Sequence, residues 1–132
     1  MKIYIGVNNK ENMVLAARLG VPAILTNANS ILRTYGENTS LKECTQKMLD
    51  ESDNLPVFPS VHGKDYNDIV RKSLDLCSLS PRVGVKIIST SDGFQAIKIL
   101  SDMGIKCIAT GLYTVWQAVI AAQVNAFAIS PF

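Results

Sequence analysis

Apolar residues recur along this chain in two alternating rhythms. Short runs rich in Ile, Val, Ala or Phe stand at 2–7, 23–27, 57–61, 83–88, 106–111 and 126–130. Each has the length and near-continuous apolarity of a strand buried on both faces. Between them the apolar positions fall at helical spacing. Met13, Val14 and Ala17 predict a helix over 9–19, closed by Gly20. Ser40-Leu41-Lys42-Glu43 is a capping box that opens a helix running to about residue 50. Ile69, Leu76 and Leu79 place a helix over 65–79, ahead of Pro81. Phe94, Ile97 and Leu100 predict one over 92–103, ending at Gly104. Thr114-x-x-Gln117 is a second capping box, opening a helix to 122.

The order is therefore βαβαβαβαβαβ. It implies an α/β fold with a parallel sheet and right-handed crossovers. No linker or low-complexity segment divides it, so 1–132 reads as one domain. Two architectures fit. One is an open, doubly wound sheet, which suits six strands and 132 residues. The other is part of a (β/α)8 barrel, whose full form typically needs about 250 residues. A dinucleotide site would want GxGxxG after the first strand, where Gly6-Val7-Asn8-Asn9-Lys10 stands instead. No GxxxxGK[ST] loop is present.

Composition narrows the classes. Apolar residues make up 48% and charged residues 18%, an ordinary globular balance. Net charge is +2 and the basic residues are scattered, so no nucleic-acid surface is expected. The most apolar stretch, 115–132, is broken by Gln117, Gln123, Asn125 and Pro131, and reads as a buried helix and strand, not a membrane span. Cys44, Cys77 and Cys107 lack disulfide or zinc spacing. They read as reduced small hydrophobes of a cytoplasmic protein.

Candidate chemistry centres on the fourth run, Arg82-Val83-Gly84-Val85-Lys86-Ile87-Ile88. With a period of two, Val83, Val85 and Ile87 share one face, while Arg82, Gly84, Lys86 and Ile88 share the other. On that face Gly84 is expected to leave open space beside the lysine. Burial would disfavour the ammonium of Lys86 and yield the free amine that attack on a carbonyl requires. The alternative is a strand lysine that snorkels to the sheet edge. Asn27, Lys86, Thr110 and Ser130 all fall near the C-terminal ends of parallel strands, where α/β proteins place ligand sites. Amide, amine and hydroxyl groups together suit a polyhydroxylated carbonyl substrate.

The segment Val85-Lys86-Ile87 followed by Thr90-x-Asp92-Gly93-x-x-Ala96-Ile97-Lys98-x-Leu100 resembles the Schiff-base strand and next helix of transaldolases and fructose-6-phosphate aldolases. Ala109-Thr110-Gly111-Leu112-Tyr113 followed by Gln117-Ala118, Ile129-Ser130-Pro131-Phe132, and Leu25-Thr26-Asn27 with Ser30 are similar to further motifs of that family. The resemblance implies a (β/α)8 barrel without metal or other cofactor, and a dihydroxyacetone unit held as an imine on Lys86. It implies that Thr110 helps hold the catalytic water. It also implies that Asn27 and Ser130 bind substrate hydroxyls, and that Phe132 is the aromatic near the site. The partner so implied is a sugar phosphate, in carbohydrate metabolism.

Several positions depart from the family pattern. Gly6 stands where the family has an acid/base aspartate, and Ser60 where it has Glu or Gln as water ligand. Ala28 replaces a proline. Losing a general acid/base costs about 10²–10⁴-fold in rate. His62, on the face of Ser60, is either a replacement acid/base group or an ordinary loop histidine. The family's phosphate-binding arginine is expected beyond Phe132, as are the last two β/α units. A chain of about six units would need another copy, a complementing chain or rearrangement into an open sheet to cover its edges. The competing readings are a class I aldolase, a catalytically impaired sugar-phosphate binder, and a doubly wound nucleotide- or flavin-binding domain.

Overall fold

The computed structural model describes residues 4–6, 10–26, 35–36 and 38–132. The elements are β1 (Ile5–Gly6), α1 (Lys10–Arg18), β2 (Ile24–Leu25), α2 (Leu41–Glu51), β3 (Val57–Phe58), β4 (Ser60–Val61), α3 (Tyr66–Cys77), β5 (Val85–Ile88), α4 (Ser91–Asp102), β6 (Cys107–Leu112), α5 (Val115–Gln123) and β7 (Ala128–Pro131). Every predicted helix forms, and the caps are the predicted ones where a capping box was legible. Ser40 accepts from the amide of Glu43, whose carboxylate bonds back to Ser40; Thr114 and Gln117 do the same. Asp65 and Thr90 cap α3 and α4. Gly20 and Gly104 follow their helices with φ of +71° and +81°, a region open to glycine at little cost.

The third predicted strand is corrected to two. Pro59 interrupts 57–61 because it has no amide hydrogen to give to the ladder. Its carbonyl still accepts from the amide of Lys86. Strands β1-β2-β3 form one parallel sheet and β4-β5-β6-β7 another. A parallel bridge between Val57 and Val83 joins them, with Gly84 donating to the Val57 carbonyl. The strands thus follow one another in chain order.

Which face the helices cover decides the architecture. Met13, Cys44, Met48, Ile69, Leu76, Phe94, Ile97, Leu100 and Ala121 come from all five described helices. They pack in a single cluster with Ile24, Val57, Val61, Val85, Ile87, Cys107 and Ala109 of the strands. The opposite strand face carries a separate small cluster of Ala23, Leu25, Phe58 and Ile108, with no buried helical residue in it. A doubly wound sheet needs helices on both faces and a reversal of strand order. Neither occurs among the described elements, so that alternative is overturned. Singly wound β/α units of this kind are the staves of a barrel. Among the described residues no helix is long and apolar enough to cross a membrane.

Candidate active site

The helix-free face is the one Lys86 occupies. In register with it stand Ser60 of β4 on one side and Ile108 of β6 on the other. Two residues further toward the C-terminal ends, Ile88, Thr110 and Ser130 are aligned across β5, β6 and β7. At about 3.3 Å per residue this second row lies one two-residue step above the first. The two rows place an amine below two hydroxyls at the rim of the sheet.

Lys86 is half-buried, and burial lowers its affinity for a proton below the ordinary lysine value. Its Nζ has no carboxylate or hydrogen-bond partner among the described residues, so no neighbour there offsets the effect of burial. Lys42, Lys72 and Lys98, by contrast, each pair with an aspartate.

The space beside Lys86 differs from expectation. A Cβ on Gly84 would lie 2.3 Å from Phe58 Cε1 and 2.6 Å from the Lys106 carbonyl oxygen. The missing side chain admits the Phe58 ring, which closes the floor under the lysine. Arg82 is likewise corrected. It precedes β5 and turns to the C-terminal end of α2, where it donates to Ser52 Oγ and to the carbonyls of Leu55 and Leu49.

Ser60 is buried, and its hydroxyl donates to the Thr26 carbonyl at 2.9 Å. It ties β4 to the end of β2 and keeps only acceptor capacity. Gly6 supplies no side chain to this face. Asn27, with Ala28 and Ser30, lies outside the described residues. Phe132 is 85% exposed and stacks on Tyr113, ring centroids 5.4 Å apart. Its amide bonds to Leu112, just past a register shift in β6 at Gly111, where φ is +70°.

His62 is exposed and lines a cavity of about 470 Å³ between α2 and α3, with Lys42, Arg71 and Asp75. Ser60 reaches its wall; Lys86, Thr110 and Ser130 do not. The thiols are removed from chemistry by burial, which pushes Cys77 up to about 11 and Cys107 up to about 12. Among the described residues no three His, Cys, Asp or Glu side chains form a metal-binding group.

Two residues near the site make contacts that the sequence does not announce. Ile88 was assigned only to a face, yet its side chain abuts Gly111 at the rim. Gln117 was read as a helix cap, yet its Nε2 also donates to the Ser89 carbonyl at 3.1 Å. A glutamine in a capping box uses its oxygen alone, and the unused amide hydrogens were the available signal.

The chain matches the family described as Transaldolase/Fructose-6-phosphate aldolase over residues 9–132. It is 35% identical over 133 residues to a "probable transaldolase" of Carboxydothermus hydrogenoformans, and 32% identical over 134 residues to one of Porphyromonas gingivalis. A third, from Clostridium perfringens, is 30% identical over 132 residues. Each alignment takes in 100% of this chain and 60% of the relative, so the chain spans about three-fifths of their length. Among solved structures, a Burkholderia cenocepacia protein assigned as a phosphonomutase superposes with a TM-score of 0.68. The match covers 98% of this chain and 68% of that one at 12% identity, a likeness of fold alone.

Proposed function

The chain belongs to the transaldolase/fructose-6-phosphate aldolase family, and from that premise we propose that Lys86 forms a Schiff base with a ketose, ketose phosphate or dihydroxyacetone. The observation that carries this reading is a half-buried lysine, unpaired among the described residues, on the helix-free face and one step below Thr110 and Ser130. The neutral amine attacks the carbonyl carbon. The resulting carbinolamine takes up a proton from solvent at its hydroxyl and expels water to give the protonated imine. Thr110 orients that water, and Ser130 and Asn27 hold substrate hydroxyls. Phe132 and Ser60 border the bound substrate. The imine then draws the electron pair of the cleaved C–C bond.

Cleavage also requires a base for the substrate hydroxyl proton. Gly6 offers none, and Ser60, whose hydroxyl is tied to the Thr26 carbonyl, is far too weakly basic to take a proton at neutral pH. A second reading follows from this: imine formation outlasts efficient turnover, and the chain acts mainly as a sugar-phosphate binder.

Borohydride trapping separates these readings. The protein is incubated with fructose 6-phosphate or dihydroxyacetone, reduced and digested, and the adduct is mapped by mass spectrometry. The aldolase reading expects an adduct at Lys86, absent in Lys86→Met, together with release of a triose. An adduct without release is the binder. A folded protein with no adduct at Lys86 overturns the Schiff-base assignment.

A further inference from the structure

The strand that carries Lys86 ends at Ile88, and the next residue is held from both sides. The Ser89 amide donates to the Thr110 carbonyl at 2.8 Å. The Ser89 carbonyl accepts from Gln117 Nε2 at 3.1 Å. The other end of the same amide group is committed as well. Gln117 Oε1 accepts from the amides of Tyr113 at 2.8 Å and Thr114 at 3.1 Å. One side chain at the start of α5 therefore joins the end of β5 to the loop that follows β6.

The residue between the lysine and this latch is Ile88. It shares the face of Lys86 and stands one step nearer the rim. A Cβ at Gly111 would lie 3.2 Å from its Cγ1, so Ile88 rests against the β6 bulge. At 41% exposure it has solvent on its outer side. If the peptide at Ser89 drifts, Ile88 moves with it, and the solvation of the half-buried amine one step below changes.

We propose that Gln117 is a positioning residue for Lys86, latching the end of β5 to the β6–α5 loop so that Ile88 stays seated over the lysine. The proposal rests on the Schiff-base reading for its purpose but not for its test. The capping and latching roles use opposite ends of one amide group and are separable. Gln117→Glu keeps the oxygen that accepts from Tyr113 and Thr114, and replaces the donor to Ser89 with a second acceptor. Thr114→Ala removes the cap hydroxyl and leaves the latch in place.

The readout is reductive methylation of Lys86 with formaldehyde and cyanoborohydride. It is followed against pH by peptide-resolved mass spectrometry, with exposed Lys64 as internal reference. Methylation needs the free amine, so its midpoint tracks the lysine's protonation. In Gln117→Glu the Lys86 midpoint rises by about half a pH unit, about a threefold loss of free amine at pH 7. In Thr114→Ala helix stability falls and the midpoint stays. An unchanged midpoint in folded Gln117→Glu, or equal shifts in both variants, overturns the proposal. Gln117→Met adds no carboxylate and is expected to show the same rise; a rise in Gln117→Glu alone is the new charge acting on the lysine, and overturns the proposal. Failure of sugar trapping in the unmodified protein, with the Gln117 shift present, would remove the aldolase reading and leave the latch standing.

Discussion

A lysine held in an apolar strand face costs stability, and its pH dependence has a defined sign. Burial lowers the proton affinity of Lys86 in the folded state, whereas the unfolded chain keeps the ordinary lysine value of about 10.4. Between those two values the unfolded state binds more protons, so stability rises with pH across that window. Below it the folded protein carries the full cost of a partly desolvated ammonium. Lys86→Met removes that cost. Its urea midpoint is expected above that of the parent at pH 7, with the gap narrowing toward pH 10. A constant gap would mean that the lysine is as well solvated folded as unfolded. Gly84 makes the complementary prediction. In Gly84→Ala the new methyl meets a backbone oxygen at 2.6 Å that cannot rotate away. Overpacking of this kind costs about 1–3 kcal/mol, read as a lower denaturation midpoint. The alternation of side chains identified the face of Lys86. It misjudged Gly84, because a glycine's empty space is assigned by whatever packs there, and Phe58 comes from another strand.

The starts of α2 and α5 were legible because capping is local: Ser40 and Thr114 each bond within their own first turn, as Asp65 and Thr90 do without a capping box to announce them. Strand ends were less so. Pro59 breaks the third strand, and Gly111 shifts the register of β6, two events that show only when the partner strand is in place. Arg82 belongs to this scale. Its guanidinium reaches three oxygens at the C-terminal end of α2, where the last carbonyls of a helix lack internal partners. Arg82→Met takes one donor from Ser52 Oγ and leaves the carbonyls of Leu49 and Leu55 to share the single Ser52 hydroxyl proton. Hydrogen bonds to a charged donor are worth about 1.5–3 kcal/mol. A loss of about 2 kcal/mol by urea denaturation is expected, with no change in borohydride trapping at Lys86. A variant as stable as the parent would show that water replaces the guanidinium at no cost.

At the scale of the molecule, the described helices pack on one face of the sheet, and Lys86 lies on the other. The helices do not hide all their apolar surface. On α5, Val115, Trp116, Val119 and Ile120 are 79%, 76%, 51% and 42% exposed. They form two i,i+4 pairs on adjoining sides of one helix. Contiguous exposed apolar surface of this kind drives association. Sedimentation velocity is expected to show concentration-dependent self-association, weakened by replacing Trp116 and Ile120 with Lys. A monomer at every concentration would show that this stripe is tolerated in water.

By itself the sequence determined the succession of strands and helices, the caps, the family and the face that carries Lys86. Each of these follows from residues close together in the chain or from side-chain period. Only the tertiary structure decided that the helices share one face of the sheet and that Phe58 fills the gap at Gly84. It also committed the Ser60 hydroxyl to Thr26 and set Gln117 across to Ser89. Those outcomes depend on residues 26 to 34 positions apart meeting in space. Period and propensity describe a segment's own surface. What that surface meets is chosen by the packing of the whole chain.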